Sequence, residues 1–518
     1  MSYLLALDLG TGSARAIIFS AKLKQISVHG IEWTHLGEDG VSGAMNFDCI
    51  KGWEILCECI KNAIAKAQIS ALDIVAVSAT SMREGIVVYD KFGKEIWAVA
   101  NVDSRAGAQV AMLKKTFPDF EQKHYKTSGQ TFALGALPRL LWLKENRSAI
   151  FANAAKMTML SEWSLFKLCG EFSSEPSNAG TSGLFGLEKR TWEPELAKTL
   201  NVSKDFFPNC FESGTAIGKV AKEAASESGL AKDTLVVLGG GDVQLGCVGL
   251  GVIKKGQIAA LGGTFWQQLA NIDAGLTDPK TKLRVNPHAV AGLSQAEGIT
   301  FFVGTMTRWF RDLFCEYEKA LAKERGVDTY EILEEMASLA PVGANGILPI
   351  FSNAMNYAEW KHAAPSLLNL NLDAALCSKG AIFRSLQENA AIVSAINLEN
   401  VENFAGTLSD SLVFAGGASN GKLWAQILSD TTKKRVVIPK VKEATALGCA
   451  MSAGVGAKLF ASLEEAVELI EWEREVLPNA QNAKIYDEIK IKWQEAYAVQ
   501  LKLADNGITQ HMWKAPGV

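Results

Sequence analysis

The chain has 518 residues, 48% of them apolar, with 52 Lys and Arg against 56 Asp and Glu for a net charge of −4. At roughly 150 residues per domain there is room for two or more full-sized domains, and charges this evenly mixed exclude a concentrated basic face for nucleic acid. Six histidines with no two inside one helical turn, and nine cysteines of which only Cys57 and Cys59 lie close together, exclude a metal-ligand or disulfide framework and point to reduced thiols.

The chain opens on a strand, without a basic segment and a small-residue cleavage site, and no apolar run approaches bilayer length. A soluble cytoplasmic protein with no membrane partner is therefore expected. Strands are predicted over 26–34, 74–80, 85–90, 234–238, 257–261, 300–302 and 411–415. Helices are predicted over 48–68, 106–117, 137–144, 161–168, 305–325, 329–339, 379–399 and 422–433. Their alternation marks an α/β class. A Gly-rich break at GLGVIKKG (249–256) divides the chain into residues 1–252 and 253–518.

Leu4–Phe19, LLALDLGTGSARAIIF, reads as strand, Gly-Thr-Gly turn and strand, with Asp8 at the mouth of the turn. Turn N–H groups cradle anions, Thr11 and Ser13 add hydroxyls, and Asp8 offers a carboxylate to a hard cation. Next, VSATSMREGIVVYD (77–90) places Arg83 and Glu84 in a turn between strands, where a guanidinium fork and a carboxylate suit vicinal hydroxyls. Asn101-Val-Asp103-Ser-Arg105 forms a second polar cluster before a helix.

VVLGGGDVQLGCVGLG (236–251) is a strand, three glycines, Asp242 and a helix of small residues. Asp242 is expected to cap that helix, whose N–H groups would keep it ionised, and to face a cleft as a general base. Neither glycine group of this segment gives G-x-G-x-x-G between a strand and a helix, so a dinucleotide fold is disfavoured. QIAALGGTFWQQL (257–269) repeats the strand and Gly-Thr turn, and aligning Gly263-Thr264 with Gly10-Thr11 sets Leu261 opposite Asp8. Two related domains would each offer one hairpin to a shared ligand, with the acid on only one. Trp266 follows the second turn and could wall a pocket.

SLVFAGGASNGKLWAQILSD (411–430) nearly matches a P-loop, but Leu423 stands where a magnesium-binding hydroxyl belongs. The alternative is a Gly416-Gly417 turn against which adenine and ribose lie. KEATALGCAMSAGVG (442–456) is a small-residue helix built for close packing.

In order, DLGTGSAR, SMREG, NVDSRA, GGGDVQLG, LGGTFWQQ, FAGGASNG and KEATALGCAMSAG resemble the FGGY carbohydrate kinases across essentially the whole chain. The resemblance implies two ribonuclease-H-like, actin-type α/β domains flanking a central cleft, with ATP and Mg2+. It places Thr11, Gly12, Ser13 and Arg15 on the first phosphate loop, and Gly263 and Thr264 on the second. Gly416, Gly417 and Gly421 fall on the adenosine turn, Asp242 on the catalytic base, and Asp8 and Asp242 on the metal. Arg83, Glu84, Asp103, Gln244 and Trp266 fall on the acceptor site. The acceptor implied is a small polyhydroxylated carbonyl compound, a dihydroxypentanedione or sugar-like molecule, with no nucleic-acid partner and a homodimer left open. The chain departs from the family pattern at Arg139, where Lys is usual, at Leu368-Asn369-Leu370, and at Gly421. Alternatives are a pentulose kinase and, from another class, an actin-like ATP-dependent assembly protein.

Overall fold

A computed structural model describes residues 2–116, 118–441 and 443–518. The opening apolar runs form the strands Tyr3–Leu9 and Ser13–Ser20, paired so that Asp8 lies opposite Arg15. Gln25–Glu32 continues this antiparallel meander, and Ile74–Ser81 and Leu235–Gly241 add on the other side in parallel. Ala216–Lys219 closes that edge of a six-stranded sheet. In the second half Ile258–Gly262, Trp266–Asp273 and Leu293–Thr300 repeat the meander, and Ser411–Ala415 and Arg435–Pro439 repeat the parallel addition. Edge strands Arg284–Pro287 and Trp472–Val476 complete seven. The faint likeness of the two Gly-Thr segments is thus a repeated hairpin at the same point of two ribonuclease-H-like, actin-type domains.

A smaller five-stranded sheet is inserted in the first half, with Glu95–Val99 at its centre, Ile86–Tyr89 beside it and Lys156–Met159 at one edge. It carries the Arg83–Glu84 turn and the 101–105 loop at its ends, over a core that includes Phe132, Leu140 and Phe185.

The helix Ala444–Gly456 belongs to the second half by sequence, yet it packs with the helix Asp242–Gly249 on the six-stranded sheet. Its glycines make this possible: a Cβ on Gly448 would lie 1.9 Å from the Leu245 carbonyl oxygen, and one on Gly249 2.0 Å from that of Ala444. The small-residue composition is a packing requirement of this crossing.

Helix 305–325 is in fact two, Val303–Phe314 and Glu316–Arg325, broken at Cys315. Residues 301–302 are a turn, and the strand expected there ends at Thr300. A long helix, Ala480–Asp505, has no counterpart among the sequence expectations. Phe117, the last residue of the helix expected over 106–117, and Lys442 lie outside the described residues. No helix among the described residues is long and apolar enough to cross a membrane.

Candidate active site

Both Gly-Thr turns are exposed and backbone-rich. Gly10 N–H donates to the Ser13 carbonyl at 2.9 Å, and Trp33 braces the turn through Gly10 O and Gly12 O. Nothing lies within 4 Å of a Cβ built on Gly12, the open space a phosphate would need. In the second half, Gly263, Thr264 and Phe265 are exposed at the tip of their hairpin, and Thr264 O accepts from Gly304 N–H at 3.1 Å. Arg15 lies beneath the first turn, donating to Asp8 Oδ2 at 2.5 Å and to Glu443 Oε2 at 2.7 Å. Glu443 immediately precedes the crossing helix, and Thr445 Oγ1 donates to the Asp242 carbonyl at 3.2 Å. One helix end therefore ties Arg15 to the backbone of Asp242.

Asp242 is the first residue of its helix, and the cap is Gly241, which corrects the capping expectation. Only the N–H of Val243 reaches its carboxylate, at 2.7 Å. Burial pushes the Asp242 carboxyl up to about 6, with Arg83 opposing the rise and Glu84 and Asp8 adding to it. The Val243 N–H favours the ionised form as expected, but burial outweighs it. The Asp242 side chain is 35% exposed, so water screens part of that field. Behind it, Gly241 N–H donates to Ser177 Oγ at 3.0 Å, and Ser177 donates to the buried Glu175 at 2.6 Å.

Arg83 Nε lies 3.5 Å from Asp242 Oδ1. Its other two nitrogens grip both oxygens of Glu297, from the seven-stranded sheet, at 2.5 and 2.9 Å. Burial works against the Glu297 carboxylate, but Arg83 and Arg284 outweigh it and hold the group below its usual range. Glu84 sits at φ 62, a left-handed conformation costly for a side chain. Thr181 fixes its N–H at 3.1 Å and Arg139 its carbonyl at 2.6 Å, while its carboxylate pairs with Arg284. Arg139, the departure from the family pattern, also donates to the carbonyls of Asn101 and Asp103, each at 2.8 Å. It locks the Arg83–Glu84 turn and the 101–105 loop together.

Three residues that the resemblance assigns to the acceptor are buried with partners of their own. Asp103 has a fully buried side chain whose Oδ2 accepts from Arg105 at 2.7–2.8 Å and from Met45 N–H at 2.7 Å. Gln244 is fully buried under the floor and donates to Gln295 at 3.1 Å. Trp266 is fully buried between Phe414 and Trp424, with ring centroids 5.1 and 4.9 Å away, and supports the second hairpin from within the core. Trp266 begins a strand, whose residues alternate faces, and it falls on the inner one.

Gly416, at φ 94, lets the Gly416-Gly417 turn lie against the second hairpin: a Cβ there would be 2.4 Å from Gly262 O. Gly417 stands open, with nothing within 4 Å. Gly421 has another purpose, since a Cβ would meet the Glu334 carboxylate at 2.2 Å. Glu334 accepts from Lys422 N–H at 2.9 Å and Trp424 N–H at 3.1 Å, capping the helix Lys422–Thr432. The anion site of a true P-loop is thus already filled by a carboxylate. Of these groups, Glu297, Arg284, Glu334 and Glu443 escaped sequence reasoning; only pairing across long separations reveals them.

No group of three or more His, Cys, Asp or Glu suited to a metal occurs among the described residues. Two carboxylates, Asp8 and Asp242, close enough to feel each other's charge, fit magnesium, which keeps waters and takes its remaining ligands from phosphates.

Paired hairpins, a carboxylate at the floor and a glycine turn beside them suit phosphoryl transfer. The FGGY family of carbohydrate kinases matches the chain in both halves, its N-terminal domain over residues 3–249 and its C-terminal domain over residues 274–457. The chain belongs to this family and is an ATP-dependent kinase acting on an alcohol group. Over 520 residues it is 52% identical to the autoinducer-2 kinase of Klebsiella pneumoniae, covering 100% of this chain and 98% of that protein. It is 51% identical over 518 residues to the autoinducer-2 kinase of Salmonella typhimurium, with the same coverage. Among solved structures it resembles xylulose kinase from Lactobacillus acidophilus, with TM-score 0.84, 18% identity, and 97% and 99% of the two chains covered. Gluconate kinase from the same organism gives 0.85 at 19% identity, with 97% and 98% covered. At such identities these two share the fold alone.

Proposed function

We propose that this chain is an autoinducer-2 kinase of the cytoplasm. It would transfer the γ-phosphoryl group of ATP to the terminal hydroxyl of open-chain 4,5-dihydroxypentane-2,3-dione, processing a quorum-sensing signal. The observation that carries this reading is the 52% identity over the full length to a protein of that name.

In this reading residues 1–252 supply the acceptor site, the first phosphate turn and Asp242, and residues 253–518 the second turn and the adenosine turn. Asp242 takes the proton of the acceptor hydroxyl as its oxygen attacks phosphorus. A carboxyl raised to about 6 is still mostly ionised at neutral pH and is a better proton acceptor than an ordinary aspartate. Arg83, through the one nitrogen that Glu297 leaves, and Glu84, through the carboxylate oxygen that Arg284 leaves, orient the acceptor's oxygens. Backbone N–H groups of Thr11, Gly12 and Thr264 receive the charge on the phosphoryl oxygens, where positioning and electrostatics supply most of the acceleration, while the Gly263 N–H donates to the Phe265 carbonyl and holds the second hairpin in shape. Asp8 and Asp242 would hold magnesium, which supplies neutralisation of phosphate charge. Closure of the cleft excludes water, which would otherwise waste ATP.

The test is kcat/KM for the dione beside D-xylulose, D-ribulose and glycerol. The dione should exceed the other three. A pentulose that outperforms it overturns the substrate assignment.

A further inference from the structure

Arg83 and Glu84 are consecutive in one turn of the first half, while Arg284 and Glu297 face each other across two adjacent strands of the second. Together they form a closed ring of charge. Arg83 holds both oxygens of Glu297 at 2.5 and 2.9 Å, and Arg284 pairs with Glu84. Arg284 is set in place by Gln130, whose Oε1 accepts from Arg284 Nε at 2.8 Å and from Tyr357 at 3.0 Å. No side chain of the four is more than 8% exposed. Two positive and two negative charges cancel.

We infer that Glu297 and Arg284 are specificity-determining residues, which neutralise Arg83 and Glu84 from the opposite domain and so restrict the site to uncharged acceptors. The inference rests on the reading of Arg83 and Glu84 as the acceptor site. A guanidinium in an acceptor site is by default a carboxylate receptor, because its fork matches two oxygens. Here Glu297 occupies that fork. The nitrogen left over, Nε, faces Asp242 at 3.5 Å. An anionic acceptor would find the ring of four charges neutral and, beside it, the negative charge of Asp242, to which Arg83 turns the one nitrogen that Glu297 leaves. A hydroxylated neutral acceptor meets no such penalty.

The charges can be unbalanced one at a time. Glu297→Gln preserves shape and leaves the floor at +1; Arg284→Gln leaves it at −1. Glu297→Asp preserves charge and alters packing. The probes are glycerol and D-glycerate, alike in size and different in charge, each measured as a competitive inhibitor of the uncharged acceptor that the wild-type enzyme turns over best. In Glu297→Gln, inhibition by D-glycerate should strengthen relative to glycerol by about tenfold or more, as a unit charge within about 10 Å gives at the effective dielectric of such sites. In Arg284→Gln the ratio should move the opposite way, and in Glu297→Asp it should stay at the wild-type value even where turnover falls. A packing defect would weaken both probes together, so an unchanged ratio in whichever charge variant folds overturns the inference. Wild-type enzyme that turns over no uncharged acceptor overturns the acceptor-site reading instead, and the two failures are distinct.

Discussion

Replacing Asp242 by Asn keeps the volume of the side chain and removes the carboxylate that takes the acceptor proton. Loss of a general base costs about 10²–10⁴-fold in rate, or roughly 3–5.5 kcal/mol of barrier. The structure also sets what should not change. The 3.5 Å approach to Arg83 involves a side chain 35% exposed, so breaking it costs no more than about 1 kcal/mol. Burial disfavours the charged form of Asp242, and relieving it acts in the opposite direction. Net stability should therefore stay within about 1 kcal/mol of wild type, a shift of no more than about 4 °C in Tm. ADP release at saturating ATP and acceptor measures kcat, calorimetric titration measures ATP affinity, and thermal melting checks the fold. The expected pattern is kcat down by two to four orders of magnitude with ATP affinity retained. A near-wild-type kcat would refute the assignment of the base, and so would ATP affinity lost in proportion to rate.

Glu443→Gln frees one arm of Arg15 beneath the first phosphate turn; KM for ATP should rise about fivefold, the size of a half-exposed ion pair, with the acceptor KM unchanged. An effect on the acceptor alone would contradict that role. Glu334→Ala uncaps the helix Lys422–Thr432 and should cost about 1–2 kcal/mol in denaturant unfolding; unchanged stability would show the cap to be dispensable. Glu175, pushed by burial from 4.5 up to about 8, holds a proton in the folded chain that the unfolded chain releases. Its contribution to stability is therefore full below about 4.5 and is lost as pH rises towards 8. Glu175→Gln should flatten the fall of Tm between pH 5 and 8, and an unaltered slope would place the proton elsewhere.

The parts of the site legible in the sequence are those made by backbone. Gly10-Thr11-Gly12 and Gly263-Thr264 announce themselves because a hairpin approached closely by a ligand needs glycine and hydroxyls wherever it occurs. The strands on either side are short apolar runs whose pairing follows from the turn. Side-chain direction was not legible: Asp103, Gln244 and Trp266 lie beside functional turns, and each points into a buried network or core. Long-range pairing was not legible either. Arg83 looked free to receive a substrate, while Glu297, 214 residues away, already occupies its fork. Glu334 fills the helix end that made Gly416–Lys422 look like a P-loop, and it comes from 88 residues upstream. The helix Ala480–Asp505 buries only Ala483, Tyr486, Trp493, Tyr497 and Ala504, a stripe too thin to stand out among its charged neighbours. The small-residue helix, by contrast, could be read as closely packed, though not as packed on the opposite half of the chain.

The proposed reaction is tested most directly by the product itself. The enzyme is incubated with ATP and 4,5-dihydroxypentane-2,3-dione, and the phosphorylated carbon is located by phosphorus–proton coupling in NMR. One ADP per product and a phosphate on the terminal hydroxyl are expected. A phosphate on the C4 hydroxyl, or ATP consumed to free phosphate with the dione unchanged, would contradict it.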